Sequence, residues 1–311
     1  MVQTVAIVGA TGFQGGSVLR ALHGTGKYKL VAVTRDTSST LANDLKNKYP
    51  DVELVAANLD NIEPLKKAFE GADFVFGVTQ FFQPGIRDKI DAGNFDVEYK
   101  QGKNIVDAAI SVGVKNIIFS SLPSMKAISG GKYPIVHQFE GKYRVEEYLK
   151  SKANRINGAI IHLGSYMENF VNFARISTDD NKTIEFTFPY SPDAPLPLAD
   201  VSSDTGAVVS HMLDHFHGFV GKTVVVSSGY YSSQDMVDAF TEATGKPARY
   251  VQIPHAYFNG EDLEQMFKGI EEFGMFNGST DFLEFNKALE YKFTTPVEFW
   301  ENRGWTGPTK S

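Results

Sequence analysis

A β-branched run, Val5-Ala6-Ile7-Val8, opens directly into Gly9-Ala10-Thr11-Gly12-Phe13-Gln14-Gly15, and a stretch with helical spacing, Gln14–Leu22, follows at once. Few patterns restrict a chain so closely. The first glycine allows a tight turn out of the strand, the second lets backbone approach a pyrophosphate, and the third lets helix and strand pack closely. The unpaired N–H groups at the positive end of the helix then receive the anion. The spacing is Gly-x-x-Gly-x-x-Gly, one residue longer before the second glycine than the Gly-x-Gly-x-x-Gly form. A glycine-rich turn without a ligand is the alternative, and the strand–turn–helix setting argues against it.

The same alternation continues through about the first 165 residues. Short β-branched runs stand at Val5–Val8, Leu30–Val33, Val52–Val55, Phe74–Val78, Asn116–Ser120 and Ala159–Leu163. Helical spacing stands between them at Gln14–Leu22, Ile62–Phe69, Lys100–Ile110 and Gly141–Leu149. Continuous apolar strands separated by helix-length segments make βαβ units, and right-handed crossovers make a doubly wound sheet. The expected fold is therefore α/β, a Rossmann-type doubly wound parallel sheet. After Gly164 the alternation breaks: Tyr166–Asp200 is rich in aromatics, Asn and Pro and reads as loops with a short strand. A helix near Thr205–His215, a strand at Lys222–Ser228, two later helical patterns and a short strand at Arg249–Ile253 complete the reading. Residues 1–164 with about 201–228 are expected to form the nucleotide domain, and about 165–200 with 229–311 a smaller interleaved C-terminal lobe.

Composition narrows the function classes. Of 311 residues, 42% are hydrophobic and 22% charged, which excludes disordered, collagenous and coiled-coil chains. There is no cysteine, so thiolate metal sites, disulfides and a cysteine nucleophile are excluded together. A formal charge of −7 speaks against direct nucleic-acid binding, which calls for a basic surplus. The N-terminus shows no basic n-region or cleavage site, and no apolar run approaches the roughly 20 residues of a membrane span. The expectation is a soluble cytoplasmic protein, also nuclear if its role is regulatory, with no membrane association.

The second strand ends Val33-Thr34-Arg35-Asp36, followed by Thr37, Ser38 and Ser39. An acid at this strand end serves the ribose hydroxyls of NAD, and an Arg accommodates the 2′-phosphate of NADP. Arg35 with the hydroxyls behind it reads as a preference for NADP(H) over NAD(H). Asp36 leaves NAD open, and a solvated strand-end charge remains the bland alternative for Arg35.

Several segments together resemble one family. GATGFQGGS at Gly9, VTRD at Val33, GVTQFF at Gly77, SSLPS at Ser120, FEGKYRVEEYL at Phe139 and GSYMENF at Gly164 are similar to the NmrA-like branch of the atypical short-chain dehydrogenase/reductases. The likeness is weaker but visible in PDAPLPLAD and RYVQIP. It implies a Rossmann domain that binds NADP(H), with a small C-terminal lobe closing over the nicotinamide. By position it puts the pyrophosphate on Gly9 to Gln14, the 2′-phosphate on Arg35 and the loop to Ser39, and the adenine beside Asn58 and Leu59. It puts Thr79, Gln80 and Phe81 under the nicotinamide ribose, Lys142 against that ribose, and Tyr166, Met167, Glu168 and Asn169 beside the ring. Lys100 resembles a family lysine on the following helix. Ordinary strand-end packing is the alternative for Phe81 and Tyr166.

Active short-chain dehydrogenases commonly use Tyr-x-x-x-Lys, in which the lysine depresses the tyrosine pKa for proton transfer. Before Lys142 that position holds Gln138, between His137 and Phe139. The acid is missing. His137 is the candidate replacement, since an imidazole titrates near neutrality; a loop histidine without a chemical role is the alternative. Tyr99…Lys103 and Tyr148…Lys152 show the same spacing and read as chance. Ser120 and Ser121 either orient a substrate or cap a strand end, and nothing fixes Tyr133 in its Gly/Pro-rich loop. His211, His215 and His217 read as a solvated helix end with no metal, and Glu146 and Glu147 as solvated helix positions.

Two functions remain. One is an NADP(H)-state sensor acting through a protein partner such as a transcription regulator, which the missing Tyr favours. The other is an NADPH-dependent reductase of a quinone, enone, imine or similar apolar molecule, with the second lobe's aromatics (among them Phe170, Phe186, Phe188, Tyr190, Tyr230 and Tyr257) lining a pocket. The bland reading of those aromatics is the core of the lobe.

Overall fold

The computed structural model describes residues 2–83, 85–289 and 291–308. In chain order the elements begin β1 Gln3–Val8, α1 Phe13–Thr25, β2 Tyr28–Thr34, α2 Thr40–Lys48, β3 Glu53–Ala56, α3 Ile62–Phe69, β4 Phe74–Val78, α4 Ile86–Asp91, α5 Val97–Ser111 and β5 Asn116–Ser121. They continue α6 Met125–Ile128, α7 His137–Lys150, β6 Asn157–Leu163, β7 Ser165–Tyr166, α8 Glu168–Asn172, β8 Ala174–Ile176, β9 Ile184–Phe188 and β10 Leu196–Ala199. The last are α9 Val201–Asp214, β11 Thr223–Val226, β12 Gly229–Tyr231, α10 Ser233–Thr244, β13 Ala248–Gln252, α11 Glu261–Phe273, α12 Asp281–Ala288 and α13 Pro296–Arg303.

Seven strands form the central sheet in the order β11-β6-β5-β4-β1-β2-β3, the doubly wound parallel arrangement that the alternating pattern calls for. Strand order reverses beside β1, where β1 pairs with both β2 and β4, and ligands bind at the carboxyl ends of strands at such a point. Alternate residues of β1 face opposite ways: Ala6 and Val8 join a core with Leu65 and Phe69 of α3, Ile105 of α5 and Val145 and Leu149 of α7. On the opposite face α1 buries Val18, Leu19 and Leu22.

The chain divides into two compact units. The first comprises Met1–Pro123, His137–His162 and Thr205–Val224; the second comprises Ser124–Val136, Leu163–Asp204 and Val225–Ser311. The second has two three-stranded sheets, β12-β10-β7 and β13-β9-β8. Its core is aromatic: the rings of Phe186 and Phe240 meet at 5.2 Å, and both meet Trp300. Both α10 and α13 start with a reciprocal capping box, Ser232 with Asp235 and Thr295 with Glu298.

Several elements escape the sequence pattern, among them the short helices α4 and α6 and the C-terminal helices α12 and α13. Tyr166–Asp200 holds four strands and a helix rather than loops with one short strand, because strands of two to five residues carry too little periodicity to read. Helix α2 buries only Ala42, so it presents no apolar stripe.

Candidate functional site

In the first unit, Gly9 adopts φ +68°, a left-handed turn out of β1 that a side chain would strain. The turn is locked from both sides: Ala10 N–H donates to Val33 O at 3.2 Å and Gly12 N–H to Gly9 O at 2.9 Å. Gly12 is the N-cap of α1, with no capping side chain and no acidic residue in the first turn. The first turn of α1 thus carries neither a cap side chain nor an acid of its own to offset the positive end of the helix, the electrostatics an anion needs. A Cβ on Gly15 would lie 2.4 Å from Gly9 O, so that glycine is required by helix–strand contact. A Cβ on Gly12 would meet only Gly9 O, at an ordinary 3.4 Å. These residues fit a pyrophosphate: the open cradle is at Gly12.

At the end of β2, Arg35 is exposed and its Nη1 donates to Gln83 Oε1 at 2.7 Å. Asp36 is engaged locally, accepting from Ser38 N–H at 2.8 Å and Ser38 Oγ at 2.6 Å, and these bonds hold its carboxyl below the usual range. Ser39 caps α2 and donates to Asp36 O. Of the three hydroxyls behind Arg35, two thus serve the turn itself, leaving Thr37. Beyond β3, Asn58 is exposed and Leu59 buried, with Leu59 O held by Asn104 of α5 at 2.8 Å. Lys100 is exposed on α5 and lines a small cavity with Asp60, Lys89, Asn94 and Asn104.

Three elements converge after β4. Lys142 of α7 directs Nζ to Thr79 O (3.0 Å) and Thr79 Oγ1 (2.8 Å), and it pairs with Glu98 of α5. Thr79 Oγ1 donates in turn to Glu98 Oε1 at 2.8 Å. Lys142 is 9% exposed and Glu98 3%. Glu98 escapes a motif-based reading, yet it lies on the same buried face of α5 as Gln101, Gly102 and Ile105, and that spacing is its only signal. Gly141 lets α7 come close, since a Cβ there would be 3.1 Å from Glu98 Oε2. Gln80 is exposed, whereas Phe81 is buried in a cluster with Ile86, Ile90 and Val97, so packing is what holds its ring.

The helix turn before Lys142 places Gln138, 3% exposed, where a catalytic tyrosine would stand. His137 is half-buried, its ring stacked on Phe95 at 4.4 Å. Tyr148 Oη donates to Asp107 at 2.6 Å, and Arg144 lies over the Tyr99 ring, so both spare tyrosines serve packing. Ser120 and Ser121 are each 1% exposed. His211 and His215 meet edge-on at 4.6 Å, and no group of three metal-ligating side chains is found among the described residues. Glu146 is not solvated. It is 2% exposed and lies 2.7 Å from His162 Nε2 and 2.8 Å from Lys150 Nζ. Burial pushes its carboxyl up, but these partners outweigh burial and hold it below the usual range. Glu147, beside it, is exposed.

In the second unit Tyr166 and Asn169 are half-buried, Met167 fully buried and Glu168 3% exposed. Glu168 is a structural acceptor rather than a ligand-facing acid. It takes Ser202 N–H (2.8 Å), Ser202 Oγ (2.6 Å) and Arg303 Nη2 (3.0 Å), capping the start of α9. Tyr133 is anchored too, its hydroxyl donating to Glu272 at 2.8 Å. Most of the aromatics offered as pocket lining are core: Phe170, Phe186, Phe188 and Tyr190 are all buried, and Phe170 and Phe188 meet at 4.5 Å. Tyr257 is exposed, and Tyr230 Oη donates to Ser279 O.

Asp204 belongs to the same acidic group as Glu168 and Asp200. Burial, with the Asp200 carboxylate adding to it, pushes Asp204 up to about 7 against hydrogen bonds from Tyr291 and Thr294. The folded chain therefore holds a proton that the unfolded chain has released. This contribution is full below the ordinary carboxylate range and is lost as pH rises toward 7. Urea midpoints are expected to fall between about pH 5 and 7.5 in the parent and to fall less in Asp204→Asn. Equal slopes in the two proteins would refute it.

The sequence profile of the NmrA-like family matches residues 1–303. An NmrA-like family domain-containing oxidoreductase of Aspergillus campestris is 32% identical, over 80% of this chain and 75% of its own. The nitrogen metabolite repression protein of Emericella nidulans is 28% identical, over 81% of this chain and 68% of its own. Among solved structures, NmrA, a negative transcriptional regulator in complex with NADP, superposes with a TM-score of 0.77 at 24% identity, covering 96% of this chain and 94% of its own.

Proposed function

This chain belongs to the NmrA-like family, and from that premise we propose that its first unit binds NADP(H) and that it acts as a cofactor-state sensor through protein contacts. The observation that carries the sensor role is the bonding around Lys142. Its ammonium group is turned onto Glu98 and both oxygens of Thr79, and the position one helical turn earlier holds an amide that cannot act as an acid. Gly9 to Gln14 would receive the pyrophosphate, and Arg35 with Thr37 the 2′-phosphate. The engagement of Asp36 with Ser38 supports NADP(H) over NAD(H), because that carboxylate is turned toward its own loop. A relative named for nitrogen metabolite repression is consistent with a regulatory partner. No helix among the described residues is long and apolar enough to cross a membrane, and the cytoplasm, with the nucleus, is the proposed location.

A second reading is favoured by a relative named as an oxidoreductase. NADPH, when bound, supplies a hydride, and a reductase of this design would hold a quinone, enone or imine where it can accept that hydride, with solvent water rather than a tyrosine giving the accompanying proton. The deciding experiment is a fluorescence titration with NADPH, followed by a panel of such acceptors while cofactor oxidation is monitored. Tight binding without turnover supports the sensor, and turnover supports the reductase. Arg35→Ala is expected to weaken NADPH by about a hundredfold and NADH by less than about threefold, since a charge-assisted phosphate contact is lost from one cofactor only. Equal losses would remove the 2′-phosphate role.

A further inference from the structure

Arg35 does not stand alone at the end of β2. Its Nη1 donates to Gln83 Oε1 at 2.7 Å, Gln83 Nε2 donates to Gln101 Oε1 at 3.3 Å, and Gln101 Nε2 donates to Asp60 Oδ1 at 2.8 Å. The four residues come from the position just after β2, the loop after β4, helix α5 and the loop after β3, all in the first unit. The polarity of this relay is forced. An ionised carboxylate only accepts and a guanidinium only donates. Each glutamine amide between them has one donating end and one accepting end, so Asp60 fixes Gln101, Gln101 fixes Gln83, and Gln83 must offer its carbonyl oxygen to Arg35. Asp60 stays ionised: burial raises its carboxyl, but the bonds from Gln101 and Lys89 outweigh burial and hold it below the usual range. The middle of the relay is buried, with Gln83 9% exposed and Gln101 2%, while Arg35 at its end is exposed.

We propose that Gln83 is a specificity-positioning residue: backed by Gln101 and Asp60, it orients the Arg35 guanidinium toward a phosphomonoester on the nucleotide ribose and so sets the preference for NADP(H). The proposal rests on the 2′-phosphate role of Arg35. A neutral amide suits the task because it engages one of five guanidinium N–H groups and leaves the positive charge intact. A carboxylate in its place would hold Arg35 as firmly but cancel the charge the phosphate needs. An apolar side chain would leave the charge and lose the orientation.

The test is a set of NADPH and NADH titrations on the parent, Gln83→Met, Gln83→Glu, Arg35→Ala and the Arg35→Ala/Gln83→Met double variant, with melting temperatures alongside. Gln83→Met is expected to weaken NADPH about tenfold and NADH less than about twofold. Gln83→Glu is expected to weaken NADPH further. In the Arg35→Ala background, Gln83→Met is expected to change nothing more, because its effect passes through Arg35. If Arg35→Ala lowers the NADPH preference and Gln83→Met does not, Gln83 has no positioning role while Arg35 keeps its own. If Arg35→Ala leaves the preference unchanged, the reading of Arg35 fails first. Equal weakening of both cofactors in Gln83→Met, with a lower melting temperature, would overturn the proposal by making Gln83 a prop of the fold.

Discussion

Gly12→Val is expected to fold as the parent does and to lose NADPH by at least about a hundredfold, whereas Gly15→Ala, a smaller change, is expected to cost about 1–3 kcal/mol of stability or more. The two glycines lie three positions apart at the start of α1, and the structure separates their reasons. At Gly12 the backbone is extended, φ −95° and ψ 179°, a conformation any L residue adopts. A Cβ there meets nothing closer than Gly9 O at 3.4 Å. The fold thus has room for a side chain, and the room lies over the bare N-terminus of α1, where an anion would be received. A valine there would screen the N–H groups without disturbing the strand or the helix. At Gly15 the built Cβ falls 2.4 Å from Gly9 O and 2.7 Å from Val8 O, both backbone atoms that cannot swing away. Relief would require α1 to move off β1. Fluorescence titration and thermal melts on both variants check the pair of expectations. A Gly12→Val protein that binds NADPH normally would take the loop out of the cofactor site.

What the sequence makes legible, and what it hides, divides along a physical line. The strands and crossover helices of the first unit are readable because each carries its own periodicity, and the glycine loop because three residues fix a local shape. The place of Arg35, just past a strand end beside the switch point, is readable from the strand pattern; its role is what the titrations test. The carboxylates are another matter. Nothing in the local pattern around Glu98, Glu146 or Glu168 marks a buried carboxylate. What buries them is a partner far along the chain: Lys142, 44 residues from Glu98, His162, 16 from Glu146, and Arg303, 135 from Glu168. A charge enters the interior only when paired, so its place is decided by tertiary structure that no local window contains. The aromatics of the second unit fail for a related reason. Phe170, Phe186 and Phe188 are as compatible with a pocket wall as with a core until their neighbours are known, and the neighbours are one another.

Lys142→Ala is expected to destabilise the fold by about 3–5 kcal/mol, because it leaves Glu98 buried without its cation. Glu98 is 3% exposed, and Thr79 would remain its one donor among the described residues. Replacing both charges, as in Lys142→Met with Glu98→Leu, is expected to recover most of that loss, since a buried pair exchanged for apolar residues of similar volume is close to neutral. Urea unfolding of the two single variants and the double separates these outcomes. A Lys142→Ala protein within about 0.5 kcal/mol of the parent would mean that the pair is not formed. The comparison also guards the functional question. Loss of turnover in Lys142→Ala alone would say little, because a partly unfolded protein turns nothing over. The double variant keeps the fold without the ammonium group. Should the parent reduce any acceptor, turnover that survives in the double variant would assign the chemistry to cofactor geometry alone, and turnover lost there would assign it to Lys142. Should the parent reduce none, Lys142 is left with its structural part, the cation that ties α7 and α5 to the end of β4.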